Sequence, residues 1–469
     1  MLSTKIAQCV FALCCALCGS LTAQNIIPQH WQHIPCITGD NSRIASITTY
    51  NGELVVGGSF QISNGNNFNE IAAWNGSTWR SFGNGISNQF NVSPFAPWVT
   101  CLMPYKGVLH VGGGFFETGA HKYWSRWDGA QWSRGGGTAI GAGSGLQTFG
   151  LYQNKLVAGG NGYFSQLVDS TTYYECNRLS VLDDTTLVCL GNFNILPTVS
   201  HSGRSIIAAT AEYQGDLYVG GVFDTVDNLR TRNIAHWNGS HWLPLAEGLY
   251  SSNPNFNGDR VMAMATYHNK LYVGGRFDRA GTIPIRSHVI AVWDGVAWDS
   301  VPNYYGYGVQ AMVVYQDRLW IGCGNSFIVG GSAIWSYDGN TWRNENLRPE
   351  TDIKCLGIYN DDLYAGGSGD DSLPTSLIRY VPALTATQQV ADANDIRVHP
   401  NPSTGIIYID NLTLPNAAIQ VYDRLGRQLS VPTTSNSIDL SACTDGVYVV
   451  TIQNKETLLR RKVIKISRE

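Results

Sequence analysis

The stretch Tyr267-His268-Asn269-Lys270-Leu271-Tyr272-Val273-Gly274-Gly275-Arg276-Phe277, continued by Ile290-Ala291-Val292-Trp293-Asp294-Gly295-Val296-Ala297-Trp298, decides the fold. Short β-rich runs broken by Asn, Asp and Gly read as strands joined by tight hairpins, because these residues tolerate positive φ. The frame recurs at Tyr213…Gly220-Gly221…Trp237-Asn238-Gly239-Ser240-His241-Trp242. It stands again at Tyr50…Gly57-Gly58…Trp74-Asn75-Gly76…Trp79 and at Tyr105…Gly112-Gly113…Trp127-Asp128-Gly129…Trp132. Downstream, Tyr315…Gly322-Cys323…Tyr337-Asp338-Gly339…Trp342 keeps it with one Gly replaced by Cys. A degenerate copy, Tyr152…Gly159-Gly160…Leu182…Leu187, has Leu at both Trp positions and Asp184 at the turn.

The hairpins begin at 74, 127, 182, 237, 293 and 337, spaced by 53, 55, 55, 56 and 44 residues. A period of this length that survives a degenerate copy marks a repeat architecture. A seventh copy runs from Tyr359 through Gly366-Gly367 to Leu377-Ile378-Arg379-Tyr380 and stops before its turn and second Trp. The missing piece stands at the other end: Trp31-Gln32-His33-Ile34-Pro35 resembles the strand that follows each turn. One incomplete unit and one orphan strand predict a ring closed by the N-terminal segment.

Each unit reads as four strands, in the first Ile44–Tyr50, Leu54–Phe60, Ile71–Trp74 and Thr78–Phe82. Trp74 and Trp79 then share a sheet face, diagonal or opposite according to turn length. Burying one Trp stabilises by roughly 4–6 kcal/mol at the upper bound. The simplest reading of the paired aromatics is structural, as glue between neighbouring sheets, with ligand stacking the alternative. The composition agrees with an all-β chain. Charged residues are 14% of 469, against 51 Gly, 23 Tyr and 14 Trp, which suits many short strands and turns.

Four-strand units of this period, arranged radially, make a β-propeller. The Gly-Gly doublet ending the second strand and the aromatic–turn–Trp hairpin resemble a kelch-type or galactose-oxidase-central-type propeller over residues 24–381. The resemblance implies a seven-bladed ring whose last blade is completed by the N-terminal strand. It is silent on ligand, since such rings serve many functions.

The termini read differently. Lys5, the apolar run Ile6 to Cys18 and Leu21-Thr22-Ala23 before Gln24 have the plan of a cleaved signal peptide, residues 1–23. No run is long and apolar enough for a spanning helix, so no membrane span is expected. Residues 382–394 are a polar linker. Beyond it, residues 395–469 lose the Trp repeat and read as a small antiparallel, Ig-like sandwich with a basic final strand. Pro400-Asn401-Pro402 with Gly405, Tyr422 with Gly426, and Gly446 with Tyr448 closely resemble the type A sorting domain of the type IX secretion system. The resemblance implies a Bacteroidota-type bacterium, the type IX machinery as partner, and release or surface attachment after outer-membrane passage. A plain carbohydrate-binding or Ig-like sandwich is the alternative.

Short uniform turns join strands 1 to 2 and 3 to 4 on one face; the longer, variable connections lie on the other, where binding usually sits. Phe95, Trp98, Tyr163, Tyr304, Tyr305 and Tyr307 are the candidate ligand-binding rim, available to stack on sugar rings or anchor a protein, or else to pack on neighbouring loops. The seven Cys beyond the leader, Cys36, Cys101, Cys176, Cys189, Cys323, Cys355 and Cys443, are odd in number and scattered. They are expected as buried thiols, with neither a disulfide framework nor a zinc site. Asn253-x-Asn255-x-Asn257 starts like a calcium loop, but Met264 stands where the bidentate Glu belongs. The His residues lack metal-ligand spacing, so no metal and no cofactor are expected. A net charge of −4 without a basic stripe argues against nucleic acid. With no nucleophile elbow or phosphate loop, the expectation is a non-enzymatic binding or adhesion module for an extracellular glycan or protein. The alternatives are a secreted enzyme acting on polysaccharide or protein, and a structural surface component.

Overall fold

The structure, a computed structural model, describes residues 31–34, 42–60, 62–63, 66–67, 69–86, 98–117, 121–135, 138–139, 145–167, 173–183, 186–191, 193, 195–196, 205–253, 258–285, 289–304, 308–324, 333–345, 352–368, 377–381, 397–410, 418–423, 428–434, 436–453 and 458–466. The leader, residues 1–23, and the linker, residues 382–394, lie outside them. Every described regular element is a β-strand, and no described helix is long and apolar enough to cross a membrane. The chain divides into two compact parts, Met1–Val381 and Pro382–Glu469.

The first part is built from antiparallel four-strand units. Their first strands are Arg43–Tyr50, Trp98–Tyr105, Leu146–Tyr152, Ile206–Tyr213, Arg260–Tyr267, Val309–Tyr315 and Asp352–Tyr359. Each first strand touches the next in chain order, and Asp352–Tyr359 touches Arg43–Tyr50, so the series returns on itself. The ladder pair Arg43↔Ser368 spans this return. The expected completion is present: Trp31–His33 pairs antiparallel with Leu377–Tyr380, Trp31 opposite Tyr380.

What fixes one unit against the next is a glycine. A Cβ on Gly274 would lie 2.5 Å from Val309 Cγ1 of the following unit, and one on Gly366 would lie 2.6 Å from Ile44 Cγ2 of the first. The first Gly of the doublet is the seat into which the next unit's branched side chain drops. Its neighbour is forced by a different contact. A Cβ on Gly275 would meet the Arg260 carbonyl at 2.0 Å, because each first strand carries a bulge there, Val261 to Ala263 in this unit.

Two side-chain hydrogen bonds close the seam. The hydroxyls of Tyr50, Tyr105, Tyr213, Tyr267 and Tyr315, each ending a first strand, donate to the carbonyls of Gly107, Asn154, Asn269, Asp317 and Asp361 in the next unit's first hairpin turn, at 2.8–3.1 Å. In the opposite sense, indole Nε1 of Trp132, Trp242 and Trp298 donates back to Phe82, Leu190 and Leu245 at 2.8–3.1 Å. Trp31 makes the same bond to the Glu345 carbonyl at 3.2 Å. Trp31 therefore serves as the second Trp of the unit that ends at Tyr380, in chemistry as well as in strand pairing.

The hairpin turn between the aromatics holds four residues, and Trp74 stands directly opposite Trp79. Their rings are 5.2 Å apart, as in the Trp127–Trp132 and Trp293–Trp298 pairs, at 5.2 and 5.1 Å. The turn is set by its first residue. Asp294 Oδ1 accepts from Val296 N at 2.8 Å and Ala297 N at 2.7 Å, and Gly295 takes φ +103°. These backbone donors hold the Asp128, Asp294 and Asp338 carboxyls below the ordinary range.

The position before the third strand differs from unit to unit, and in the first unit it holds a buried acid. In the fourth unit Asn233 is buried; its amide accepts from Phe223 N at 3.1 Å and donates to Leu249 O at 2.8 Å. Glu70 stands at the matching place in the first unit. Its N–H donates to Phe60 O and its carbonyl accepts from Gly58 N, as Asn233 does with Phe223 and Gly221. Both residues take positive φ, 67° and 71°. Glu70 is 2% exposed, and burial alone pushes its carboxyl up to about 8.

Two outcomes follow. Trp31→Ala should lose roughly 3–5 kcal/mol and lower the melting temperature more than Trp79→Ala, whose ring is only half-buried; equal losses would contradict the closing role of Trp31. For Glu70, a folded-state pKa above the unfolded one means that between pH 4.5 and about 8 the unfolded chain ionises first. Stability should fall by roughly 1.4 kcal/mol per pH unit across that window and level off above it. Glu70→Gln should remove this slope in denaturation series.

Candidate functional site

At the end of the first strands away from the short turns, the last ladder pairs form a rim. They include Arg43↔Ser59, Trp98↔Gly114, Arg260↔Arg276 and Asp352↔Ser368. From this rim leave the longer connections, and part of these is folded. Thr225–Val226 and Leu229–Arg230 form a hairpin paired with Ile195–Leu196, and Arg279–Ala280 with Ile283–Pro284 form one paired with Leu249–Tyr250. The longer, variable connections thus include small three-stranded sheets, and Phe193, Val226 and Ala280 are buried.

The candidate rim aromatics separate. Trp98 is half-buried at the start of its strand, and its ring lies on Gly114, where a Cβ would come 2.3 Å from Trp98 Cζ2. Gly145 of the next unit, at φ +109°, would bring a Cβ 2.3 Å from the Gly113 carbonyl. Gly114 thus lies beneath the Trp98 indole, which rests directly on backbone. Tyr304 is a correction: it is 4% exposed, its hydroxyl 3.1 Å from Cys323 Sγ and its ring 4.7 Å from Trp342. Burial raises that phenol well above its ordinary pKa. Its ring belongs to the core of the sixth unit. Tyr163 stands within the strand Lys155–Leu167, opposite Asn177. Phe95, Tyr305 and Tyr307 lie outside the described residues.

The thiols also need one correction. Cys176 and Cys189 form a disulfide, with Cα atoms 5.1 Å apart, across the third and fourth strands of the degenerate unit. Cys101, Cys323 and Cys355 are buried thiols, as expected; burial pushes Cys101 up to about 12. The 13-residue separation carried no signal by itself, because pairing depends on Tyr173–Asp183 extending further than the repeat suggests. Among the described residues no group of three or more His, Cys, Asp or Glu is placed to hold a metal.

In the second part, Arg397–His399, Ile406–Asp410 and Ser437–Asp439 form one sheet. Gln428–Leu429, Ala418–Tyr422, Gly446–Gln453 and Leu458–Lys465 form another, around a core that includes Ile407, Val421, Ile438, Val450 and Val463. Tyr448 is buried in that core and donates to the Thr444 carbonyl, while Tyr422 donates to Gln420 Oε1 at 2.9 Å. Leu458–Lys465 is an edge strand, and Asn401 lies along it. The Asn401 amide donates to Lys462 O at 2.8 Å and accepts from Ile464 N at 2.9 Å, as a neighbouring peptide group would. Ser403 continues the bridge, with its N–H on Ile464 O at 2.8 Å and its carbonyl taking Ile466 N at 2.9 Å. Both flanking prolines, Pro400 and Pro402, follow cis peptide bonds. A Cβ on Gly405 would lie 2.5 Å from Ser441 Oγ, whereas around Gly446 the space is open. Gly426 lies outside the described residues.

Residues 397–466 match a family described as the secretion system C-terminal sorting domain. That match indicates export by the type IX route, to the cell surface or the medium. No curated protein matches the chain. Among solved structures, the β-propeller domain of the trilobed protease from Pyrococcus furiosus, with an open velcro topology, is similar at 8% identity and TM-score 0.41 over 73% of this chain and 96% of that one. BBS1N, from a complex with ARL6DN, is similar at 12% identity and TM-score 0.35 over 76% and 98%. The Bombyx mori GH32 β-fructofuranosidase BmSUC1 has 10% identity and TM-score 0.24 over 94% and 89%. With TM-scores below 0.5, these likenesses set neither ligand nor activity for this chain.

Asn401→Ala should speed exchange of the Ile464 amide hydrogen and lower the stability of the second part by about 1–2 kcal/mol. Asn401→Asp, which keeps the acceptor but loses the donor to Lys462 O, should fall between the two in hydrogen-exchange protection.

Proposed function

We propose that the chain is an exported, non-enzymatic binding or adhesion module. In this reading a signal peptide, residues 1–23, starts export across the inner membrane. A kelch-like, seven-bladed β-propeller closed by its own N-terminal strand follows. An Ig-like sorting domain at residues 395–469 then carries the protein through the outer membrane of a Bacteroidota-type cell. The cyclic contact of the first strands and the pairing of Trp31 with Tyr380 support the ring. The match at residues 397–466 supports the export route.

The observation that carries the binding role is Trp98. The Trp pairs of the repeat are spent inside the seams between units. Trp98 instead belongs to no hairpin pair and lies on Gly114 at the rim where the long connections leave. An aromatic face on a rigid strand end loses little freedom on binding and suits a sugar ring or an apolar side chain.

Two measurements test the reading. Deleting residues 395–469 should keep the protein within the envelope, as read by immunoblot of cell and medium fractions; normal appearance outside would contradict the sorting role. Trp98→Ala should weaken binding to the ligand found by glycan array or pull-down, while the melting curve stays unchanged. Turnover of any polymer by the purified protein would overturn the non-enzymatic assignment.

A further inference from the structure

Seven Asn-Gly dipeptides occur in the chain, and four of them stand in described turns: Asn51-Gly52, Asn75-Gly76, Asn84-Gly85 and Asn238-Gly239. Asn161-Gly162 lies within the strand Lys155–Leu167, and Asn64-Gly65 and Asn257-Gly258 include residues outside those described. Such a pair is chemically labile, because glycine puts no Cβ between its own amide nitrogen and the preceding side-chain amide. The repeat places the same dipeptide under different restraints within one molecule. Asn75 Oδ1 accepts from Ser77 N, Ser77 Oγ and Thr78 N, each at 2.9 Å, and its Nδ2 donates to Thr78 Oγ1 at 3.1 Å. Asn238 Oδ1 likewise accepts from Ser240 N and Oγ at 3.0 Å and from His241 N at 2.9 Å. Both side chains are pinned onto the backbone beyond the glycine. At Asn84-Gly85 the nucleophile is held instead: Gly85 N donates to Phe82 O at 2.9 Å.

Asn51-Gly52 has neither restraint. Both residues are exposed at the tip of the hairpin joining Arg43–Tyr50 to Glu53–Ser59, at φ 49° and 77°. Among the described residues no hydrogen bond reaches the Asn51 side chain or Gly52 N, and nothing stands within 4 Å of a Cβ built on Gly52. An outside tie is missing as well. In five seams the carbonyl of the second turn residue takes the preceding unit's Tyr hydroxyl. Gly52 is the matching residue for Tyr359, whose hydroxyl makes no such bond among the described residues. The sister turns are Lys106-Gly107, Gln153-Asn154, Gln214-Gly215, His268-Asn269, Gln316-Asp317 and Asn360-Asp361, so the first unit alone has Asn-Gly here.

We propose that Asn51 is a site of spontaneous covalent modification, converted through its own backbone to aspartate and isoaspartate while Asn75, Asn84 and Asn238 are preserved. Gly52 N, deprotonated by base, attacks Asn51 Cγ. The bond from Cγ to Nδ2 breaks and ammonia leaves, closing a succinimide ring. Water then adds to either ring carbonyl, and the ring opens to aspartate or isoaspartate. One water is consumed and one ammonia released, with no change of oxidation state. Aspartate at position 51 adds a negative charge next to the Glu53–Arg80 ion pair. Isoaspartate adds a backbone atom to the turn that sets the register of the first strand, which ends in Tyr50 and carries Ile44 onto Gly366. The modification therefore falls on the strand that closes the ring.

The test incubates the full chain at mildly alkaline pH, folded or in urea, and then digests it. Mass spectrometry with electron-transfer fragmentation locates conversion at each Asn and distinguishes isoaspartate from aspartate. In the folded chain Asn51 should convert at least about tenfold faster than Asn75, Asn84 and Asn238, because conversion there first breaks hydrogen bonds that Asn51-Gly52 lacks. In urea the four rates should converge. Gly52→Asn copies the Gln153-Asn154 and His268-Asn269 turns, whose second residues take φ 60° and 55°. It should slow conversion of Asn51 by about tenfold while near-UV circular dichroism stays unchanged. Equal rates at Asn51, Asn75 and Asn238 in the folded chain overturn the proposal. So does an Asn51 that stays intact in the folded chain. A rate difference that persists in urea also overturns it, because local sequence and not the turn would then set the order.

Discussion

The first part of this protein depends on one steric condition: a branched side chain lodged where the preceding unit has only a glycine. Val309 against Gly274 and Ile44 against Gly366 are two instances of the contact. The close approach it permits brings the hydroxyls of Tyr50, Tyr105, Tyr213, Tyr267 and Tyr315 within reach of the next unit's turn carbonyl. It brings Nε1 of Trp31, Trp132, Trp242 and Trp298 within reach of the carbonyl behind each. The hydrogen bonds are thus consequences of the seat rather than independent attachments. Because the seat requires bare backbone, no larger residue substitutes for that glycine without moving the neighbouring unit.

Much of this was legible in the sequence. The Tyr, Gly-Gly and Trp positions announced the repeat, and the truncated copy ending at Tyr380 announced its partner at Trp31. The reason lies in periodicity: features that every unit needs appear in every unit. What the sequence concealed lies where units differ. Tyr304 looked like a loop aromatic but fills the core beside Cys323, which replaces the second Gly of its doublet. The Cys176–Cys189 bridge depends on a long third strand that belongs to the degenerate unit alone. The register that sets Arg260 opposite Arg276 was concealed because the bulge between Val261 and Ala263 shifts the pairing by one residue.

The two parts solve the problem of exposed β-structure in different ways. In the first, the strand series returns on itself and the hairpins bury their aromatics between units. In the second, the final strand remains an edge, and part of it is covered by a side chain. Asn401 presents an amide donor and an acceptor with the spacing of a peptide unit, which makes the Pro400-Asn401-Pro402 turn a short substitute for a missing strand. An edge shielded in this way offers less template for pairing with another chain. That gives the motif a physical role in the tail alongside its use as a marker.

The pairing of Trp31 with Tyr380 has a topological consequence. Antiparallel partners at the end of a ladder send their chains out from the same end. The segment before Trp31 and the segment after Tyr380 therefore depart side by side, at the place where the first unit has its Asn75-Gly76 turn. The polypeptide of the first part is a circle with a single cut, and the cut falls at a surface turn. Such a circle has no intrinsic first unit: joining Tyr380 to Trp31 by a four-residue turn and opening another turn would give a circular permutant that preserves every seat. The linear order of the gene then records where the chain enters and leaves, and the seats alone decide which unit adjoins which.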